Sequence, residues 1–240
     1  MPHFFERVSS DTVLITGENA NHIINALRMK IGEKLTLCDN AKDYECEIVE
    51  INKDAVKVKV IDCSANYSEP DVAVTLYQCV PKGDKLELVI QKAVELGVSE
   101  IVPVLSSRCV SRPDSKKAKK KNERYSKIAL SACEQSRRGK IVKVREQIDF
   151  KQAVASLTDY DLCILFYEGG GEPLAKVIDK SKHKNIAIFI GPEGGFSEEE
   201  VLELKQIGAV VSTLGKRILR TETAPLASLV SIMLLTGNME

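Results

Sequence analysis

Residues 1 to about 70 alternate between apolar and polar positions in the manner of short β-strands. One segment with helical spacing, which ends at Gly32, interrupts them, and turn formers such as Asn52-Lys53-Asp54 separate the strands. The strand segments are EKLTLCD, YECEIVEI and AVKVKVID, and the helical segment is ANHIINALRMK. The pattern predicts a small β-barrel or sandwich over residues 1–70.

After the polar segment SANYSEPD, apolar strands alternate with amphipathic helices over residues 71–240. The strand VAVTLYQCV precedes the helical segment KGDKLELVIQKAVELGV, which stops at Gly97, and the strand EIVPVLS follows. Strand, helix and strand in so few residues indicate a parallel βαβ unit. The alternation continues in RYSKIALSACEQSRR (helix), LCILFYE (strand), PLAKVIDK (helix), NIAIFIG (strand), EEEVLELKQIG (helix) and AVVSTLG (strand).

The last apolar segment, PLASLVSIMLLTG, predicts a helix with an unusual surface. From Leu226 to Leu235 nearly every side of it is apolar. We therefore expect this helix to be buried, either in the sheet layer or against a second subunit.

Composition limits the classes of protein to which the chain can belong. No apolar run approaches the length of a membrane span, and the first residues lack the pattern of a signal peptide. Seven scattered cysteines without a C-x-x-C pair fit reduced thiols in a cytoplasmic protein better than disulfides or a zinc site. With His3, His22 and His183 as the only histidines, we expect neither a metal site nor a Ser-His triad.

The net charge of zero hides an uneven distribution. Residues 108–145 carry 14 Lys/Arg against 3 Asp/Glu, whereas the first 70 residues carry 8 basic and 12 acidic side chains. A cationic middle is typical of polyanion binding, and it is equally typical of a solvated, lysine-rich loop and helix face. Charge alone leaves both interpretations open.

The segment GPEGGFSEEE joins a predicted strand to a predicted helix through a glycine-rich turn. Ser197 and Glu200 have the spacing of a capping box, which places three glutamates in the first turn of the helix. Carboxylates there oppose a bound phosphate, and the chain has no G-x-G-x-x-G or Walker sequence. The turn therefore suits a ligand without phosphate that approaches the backbone closely, or it is a tight turn with no ligand.

A second loop, LGKRILRTETAPLASL, also follows a predicted strand. Arg217 and Arg220 flank an apolar pair. Thr221 and Thr223 supply hydroxyls before the next helix, and Pro225 suits its first turn. Open α/β sheets bind ligands at the carboxyl ends of their strands, where both loops lie. The alternative for the two arginines is ordinary surface charge.

These two loops, together with KGDKLELVIQKAVELGV, ACEQS and the N-terminal HIINALRMKIGEKLTLCD, closely resemble the bacterial 16S ribosomal RNA uracil-N3 methyltransferases of the SPOUT superfamily. The resemblance covers nearly the whole chain. One departure is Arg137 directly after Ser136, where the family has glycine. The resemblance implies an α/β fold with a PUA-like β-barrel that docks RNA over residues 1–70 and a SPOUT methyltransferase domain, a parallel sheet with a C-terminal trefoil knot, over residues 71–240.

The resemblance also implies S-adenosyl-L-methionine (SAM) as cofactor, with S-adenosyl-L-homocysteine as product. SAM carries no phosphate, which would explain the acidic helix after the glycine-rich turn, and Ile218 and Leu219 would enclose its adenine. The implied cofactor-binding residues are Leu165, Phe166, Gly191, Glu193, Gly194, Gly195, Leu214, Gly215, Ile218, Leu219, Arg220 and Thr223.

Methylation of uracil N3 requires that the proton on this nitrogen be removed or that the resulting anion be stabilised. We expect Arg217 or Arg220 to face the developing oxyanion and Glu193 or Glu222 to act as the base. For Glu222, a favourable position near a helix N-terminus is an equally good explanation.

The expected partners are 16S rRNA in the small ribosomal subunit and a second copy of the chain in a homodimer, with no membrane or DNA. Basic residues would contact RNA phosphates, mostly from the cationic middle and locally from the N-terminal domain. They are Arg7, Arg28, Lys30, Arg108, Arg112, Lys116, Lys117, Arg137 and Arg138. The alternatives are a SPOUT enzyme acting on transfer RNA, a non-enzymatic RNA-binding protein and a Rossmann-type nucleotide binder.

Overall fold

The computed structural model describes residues 1–112 and 115–239, and the side chains of residues 115 and 116 lie outside that description. The chain forms two compact units. The first comprises Met1–Glu69 with Cys133–Ile141, and the second comprises Pro70–Ala132 with Val142–Glu240. The return of Cys133–Ile141 to the first unit is a feature that the strand and helix pattern does not indicate.

The first unit is built on a five-stranded curled sheet. Its strands are β1 (His3–Phe5), β2 (Thr12–Thr16), β3 (Lys34–Asp39), β4 (Lys42–Ile51) and β5 (Ala55–Ala65). They lie in the order β1-β3-β4-β5-β2, with β1 parallel to β3 and the other pairs antiparallel. The predicted β-barrel pattern is confirmed, because alternate residues such as Leu35, Leu37, Val56 and Val58 form the buried core.

The helical segment of the first unit ends at an earlier residue than the sequence predicts. Helix α1 (Gly17–Asn21) continues as a π-helical turn over His22–Ala26, and the chain then reverses at Arg28, whose φ is 54°. Positive φ ends a helix, so the segment after Ala26 turns away although its apolar spacing is helical.

The second unit contains eight strands, and every strand pair in the described sheet is parallel. The strands are β6 (Ala73–Cys79), β7 (Glu100–Leu105), β8 (Lys143–Val144), β9 (Ile148–Asp149), β10 (Leu162–Phe166), β11 (Glu172–Pro173), β12 (Asn185–Ile190) and β13 (Val210–Thr213). Their order is β11-β13-β10-β12-β6-β7-β8, with β9 beside β7. The central strands are buried apolar runs, as expected for a parallel sheet covered on both faces. The predicted α/β class is confirmed, while the trefoil knot stays a prediction.

Helices connect these strands. They are α2 (Lys85–Glu95), α3 (Ser115–Gln135), α4 (Phe150–Ala155), α5 (Leu174–Val177), α6 (Glu198–Gln206) and α7 (Ala224–Leu235). Helix α2 buries the predicted apolar face and ends at Gly97, whose φ is 90°. The prediction was too long for α5, which has a single turn before Ile178 becomes extended. The predicted helix RYSKIALSACEQSRR begins later than α3, because the lysine-rich start of α3 has no apolar periodicity. Within the part of the chain that the structure describes, the helices are too short or too polar to span a bilayer.

Helix α7 is only partly covered. Leu229, Ile232 and Met233 are buried, whereas Val230 is 37% exposed and Leu234 is 60% exposed. The inner face therefore packs within the unit, and the outer face leaves apolar surface in solvent. A second subunit on this face stays a prediction.

Arg137, the departure from the family pattern, lies in a turn that favours glycine. Its φ is 56°, and the turn follows α3, with the Arg138 amide donating to the Cys133 carbonyl over 2.9 Å. A residue in the left-handed conformation after a helix is usually glycine, because a side chain is strained there. The backbone therefore adopts the conformation that favours glycine although arginine occupies the position.

Candidate active site

The two loops singled out in the sequence meet because three neighbouring strands end at one edge of the sheet. Strand β10 lies between β12 and β13, and all three run parallel. Phe166 pairs with Ile190 on one side and with Ser212 on the other, so the three strands end at the same level. The segments that follow them therefore converge at the carboxyl edge of the sheet.

These segments line a cleft of about 540 Å³ in the second unit. That volume lies in the range of small-molecule sites. The lining residues are Lys85, Phe166, Tyr167, Glu168, Ile190, Gly191, Pro192, Glu193, Gly194, Gly195, Thr213, Leu214, Gly215, Lys216, Arg217, Ile218, Leu219, Arg220, Thr221 and Ala224.

The turn after β12 is fixed by its own hydrogen bonds and by the helix that follows. The Gly195 amide donates to the Pro192 carbonyl over 3.0 Å, and Gly195 has a φ of 67°. Ser197 caps α6, and the predicted capping box with Glu200 is confirmed by reciprocal hydrogen bonds of 3.3 and 3.0 Å. Glu200 is buried and also accepts from the Ser107 amide over 2.7 Å. One of the three glutamates is thus structural and belongs to the helix start.

The loop after β13 approaches the cleft with its backbone. Gly215 has a φ of 104°, and a Cβ built on it meets no atom within 4 Å, so the glycine borders open space. Thr221 holds this loop against the other one, because its hydroxyl donates to the Gly191 carbonyl over 2.7 Å and accepts from Gln78 Nε2 over 3.2 Å. Ile218 is 84% exposed, an apolar side chain at the cleft without cover.

A lysine and two glutamates form a charged cluster at the cleft. Lys85 Nζ lies 3.0 Å from Glu193 Oε1 and 3.2 Å from Glu222 Oε2. The two glutamates raise the pKa of Lys85. Partial burial raises the pKa of Glu193, but hydrogen bonds from its own amide, Lys85 and the Lys82 amide outweigh burial and lower it. The pKa of Glu222 is also lowered, by its own amide and then, against partial burial, by Lys85. Both carboxylates are therefore held ionised.

The structure brings most of the predicted cofactor and catalytic residues to this cleft. Leu165 and Thr223 do not line it. Leu165 is fully buried in the sheet, and Thr223 is exposed in the first turn before α7. Glu222 does not line the cleft either, but its ion pair with Lys85 connects it to the lining.

The predicted RNA contacts fall into different environments. Arg7, Arg28, Lys30 and Arg137 are exposed, and the side chain of Lys116 lies outside the described residues. Lys117 is exposed as well. These positions allow contact with a polyanion, and their role stays a prediction.

Arg108 and Arg112 are exposed but also hold the backbone near the cleft. Arg108 Nη1 donates to the Gly194 carbonyl over 2.8 Å, and Arg112 Nη2 donates to the Ser106 carbonyl over 2.8 Å. Arg108 thus packs on the glycine-rich turn. A Cβ added to Gly194 would lie 3.3 Å from the Cβ of Arg108.

The predicted phosphate contact of Arg138 is wrong. Arg138 is only 3% exposed, and its guanidinium binds the Glu69 carboxylate through two bonds of 2.8 and 2.9 Å. A guanidinium that is buried and paired in this way does not reach an RNA phosphate. Sequence reasoning failed here because Glu69 and Arg138 are distant in sequence, and only the fold brings them together.

Several residues of the cleft were missed by the sequence analysis. The sequence pattern predicts only that Lys85 belongs to an amphipathic helix and that Glu168 ends a strand. The signal for Glu168 was its position directly after β10, at the same sheet edge as the two loops. Lys85 lies at the start of α2, which follows β6, the neighbour of β12.

Comparisons with known proteins point to one kind of molecule. Residues 68–233 match the family model described as an RNA methyltransferase domain, and residues 15–61 match the RNA methyltransferase PUA domain. The chain is 40% identical over 228 residues to the ribosomal RNA small subunit methyltransferase E of Bacillus subtilis, covering 92% of this chain and 89% of the relative. A crystal structure of a ribosomal RNA small subunit methyltransferase E from Neisseria gonorrhoeae, bound to S-adenosyl methionine, superposes with a TM-score of 0.90. It is 32% identical and covers 98% of both chains.

Proposed function

The chain belongs to the RNA methyltransferase family that includes the ribosomal RNA small subunit methyltransferases E, and from that premise we propose that it methylates N3 of one uracil in 16S rRNA. The methyl donor is SAM, and the substrate is the assembled small subunit. The observation that carries the proposal is the cleft formed where β10, β12 and β13 end, whose lining includes Gly191, Gly194, Gly195 and Gly215.

The lining of the cleft suits SAM, which carries no phosphate. Gly215 borders open space that a Cβ would enter. The turn from Gly191 to Gly195 also lines the cleft, and its backbone groups would bind the adenosine. Leu214, Ile218 and Leu219 supply apolar contact for the adenine. When bound, SAM supplies the methyl group on its positively charged sulfur and becomes S-adenosyl-L-homocysteine.

The exposed arginines of the cleft suit the charge that develops on the uracil. As N3 loses its proton, negative charge spreads to O2 and O4 of the ring. Arg217 and Arg220 lie exposed on the loop after β13 and can donate to these oxygens. Preorganised donors of this kind commonly give the largest catalytic contribution.

Glu193 and Glu222 are the candidates for accepting the N3 proton. Their pKa values are lowered, whereas a general base works best with a pKa near the pH of the reaction. We therefore assign the larger share of catalysis to Arg217 and Arg220, and to one carboxylate the smaller role of taking the proton. Lys85 keeps both carboxylates in place.

The first unit serves as the RNA-docking part in this proposal, in keeping with the PUA match over residues 15–61. Arg7, Arg28 and Lys30 contribute phosphate contacts that position the subunit without reading sequence. The open face of α7, with Leu234 exposed, is the surface on which a second copy completes a homodimer. A ribosomal substrate is consistent with the expected cytoplasmic location.

The test is methylation in vitro with labelled SAM, followed by digestion of the RNA and mass spectrometry for 3-methyluridine. Small subunits from a strain that lacks this protein should gain one 3-methyluridine per 16S rRNA, whereas naked 16S rRNA should gain much less. Transfer RNA is the control for the alternative substrate. Methylation of transfer RNA instead, or a methyl group on another atom, would overturn the substrate assignment.

A further inference from the structure

Three polar side chains of the first unit converge on one face of its sheet. Cys38 on β3 lies directly opposite Asp43 on β4, and on its other side it is in register with Phe5 on β1. His3 comes two residues before Phe5. In-register residues, and residues two apart on a strand, point to the same face, so imidazole, thiol and carboxyl group lie together.

This cluster is enclosed. His3 is 5% exposed and Cys38 is 2% exposed, while Asp43 is half-buried. One ligand atom from each side chain lies within 4.8 Å of those of the other two, and His3 Nε2 is 3.4 Å from Asp43 Oδ1. The thiol of Cys38 donates to the Gly139 carbonyl over 3.5 Å, so the segment Cys133–Ile141 contributes to the same place within the unit.

We propose that His3, Cys38 and Asp43 form a binding site for a divalent cation of the zinc type. Thiolate sulfur, imidazole nitrogen and carboxylate oxygen are the donors that Zn²⁺ uses in proteins, in a tetrahedral arrangement. Ligand atoms around tetrahedral zinc are separated by about 3.3–3.7 Å. The 3.4 Å between His3 Nε2 and Asp43 Oδ1 already lies in this range. The three ligand atoms are at most 4.8 Å apart, so a movement of about 1 Å would bring the longer separations into the range as well.

The charges and hydrogen bonds around the three side chains also suit a bound cation. A thiolate and a carboxylate together balance the charge of a divalent cation. Asn66 Nδ2 donates to Asp43 Oδ2 over 2.9 Å, and this orients the carboxylate so that its other oxygen faces His3. Hydrogen bonds that orient ligands in this way are typical of metal sites. The Gly139 carbonyl is a further oxygen donor next to the sulfur.

The hydrogen bonds of His3 do not satisfy both nitrogens of its buried imidazole. Among the described residues its Nδ1 has no partner, although the atom is buried, and the contact of Nε2 with Asp43 is long at 3.4 Å. Buried polar side chains usually have good partners. A bond from a ring nitrogen to a cation gives the imidazole the strong interaction that its protein neighbours do not supply.

The cation joins β1, β3 and β4 and has a structural role distinct from methyl transfer, because none of its three ligands lines the cleft. Such a site is contrary to the expectation from the sequence that the chain holds no metal. His3 and Asp43 are 40 positions apart, and no spacing motif connects the three residues.

The test uses cobalt(II) as a spectroscopic probe on the full chain. The purified protein, stripped with a chelator, should bind one cobalt per chain, with the visible bands of a tetrahedral ion and a sulfur-to-cobalt charge-transfer band. Zinc should displace it stoichiometrically. A wild-type protein that gives no charge-transfer band at one equivalent of cobalt overturns the proposal, and this outcome does not depend on any variant.

Two variants and a matched control identify the ligands. Cys38→Ser should lose the charge-transfer band, and Asp43→Asn should weaken zinc binding at least about tenfold. Cys63→Ser, which alters an exposed cysteine on the neighbouring β5, should bind like the wild type. A band that persists in Cys38→Ser, or disappears in Cys63→Ser, places the metal elsewhere and refutes the site. Circular dichroism checks that each variant is folded, and the readout does not involve methyl transfer.

Discussion

The buried pair of Glu69 and Arg138 gives a quantitative prediction about the stability of the first unit. Glu69 Oε1 accepts from Arg138 Nε over 2.8 Å and from the Gly139 amide over 2.9 Å, and Oε2 accepts from Arg138 Nη2 over 2.9 Å. The change Glu69→Gln keeps the shape of the side chain. It replaces one accepting oxygen by an amide that faces the guanidinium, and it leaves the cation of Arg138 buried.

The expected cost follows from that burial. Removing one partner of a buried ion pair typically costs about 3–5 kcal/mol. The side chain of Arg138 is only 4% exposed, but that of Glu69 is 20% exposed, so we expect the lower end, about 3 kcal/mol. This corresponds to about a 100-fold increase in the equilibrium constant for opening of the first unit.

The assay is amide hydrogen exchange of peptides from β3 to β5, because it reports the first unit without the second. Protection there should fall about 100-fold in Glu69→Gln. The matched control is Arg137→Gln at the exposed neighbouring position, where a surface change should cost less than about 0.5 kcal/mol. Adding Arg138→Met to Glu69→Gln should restore part of the loss, because the buried guanidinium that has lost the Glu69 carboxylate is then removed as well.

The same pair gives a dependence on pH with a definite sign. Burial raises the pKa of Glu69, but Arg138 and two backbone amides outweigh it and bring the pKa below its ordinary value of 4.5. The stabilisation is therefore present above that value and is lost as the pH falls through the lowered pKa. Glu69→Gln should lack this acid-sensitive part. A loss of protection below about tenfold, or an unchanged acid sensitivity, would refute the buried pair as a stabilising element.

Three further changes test other parts of the account. Arg137→Gly should stabilise the first unit by about 0.5–1 kcal/mol in the same exchange measurement, since φ of 56° strains a side chain; destabilisation would contradict this. Lys85→Gln should raise the pKa values of Glu193 and Glu222, so the acidic limb of the methylation rate should move to higher pH; an unmoved limb would exclude both carboxylates as the proton acceptor. Arg28→Gln should lower the slope of log affinity for RNA against log salt by about 0.7–0.9, and an unchanged slope would remove that phosphate contact.

The fold class was predictable because the pattern of the chain changes once and is regular on either side. Period-two strands give a half-buried antiparallel sheet, and apolar runs separated by helices such as α2 give a parallel one. The capping box of Ser197 and Glu200 fixed the start of α6 to the residue. The ends of helices were less predictable where they depend on backbone conformation. At Arg28 a positive φ stops a helix, although the spacing of the apolar side chains continues beyond it.

The site was predictable to the extent that it lies on segments directly after strands. Gly215 and the Gly191–Gly195 turn could be found because glycine has a local structural meaning. Lys85 could not, because its role depends on Glu193 and Glu222, which arrive from other loops. Arg138 was misassigned for the same reason, since the sequence shows its charge but not the carboxylate of Glu69 that binds it.

The central claim, that the cleft binds SAM through backbone exposed by glycine, is tested most directly by calorimetry on two glycine variants. Gly215 lines the cleft and Gly208 does not, but both have positive φ, 104° and 90°, and neither has an atom within 4 Å of an added Cβ. The strain of valine, about 1–3 kcal/mol, is therefore similar at the two positions. Gly208→Val should bind SAM like the wild type, whereas Gly215→Val should bind at least about 100-fold more weakly, a difference of about 2.7 kcal/mol. Equal affinity in the two variants, or no binding by the wild type, would contradict the claim.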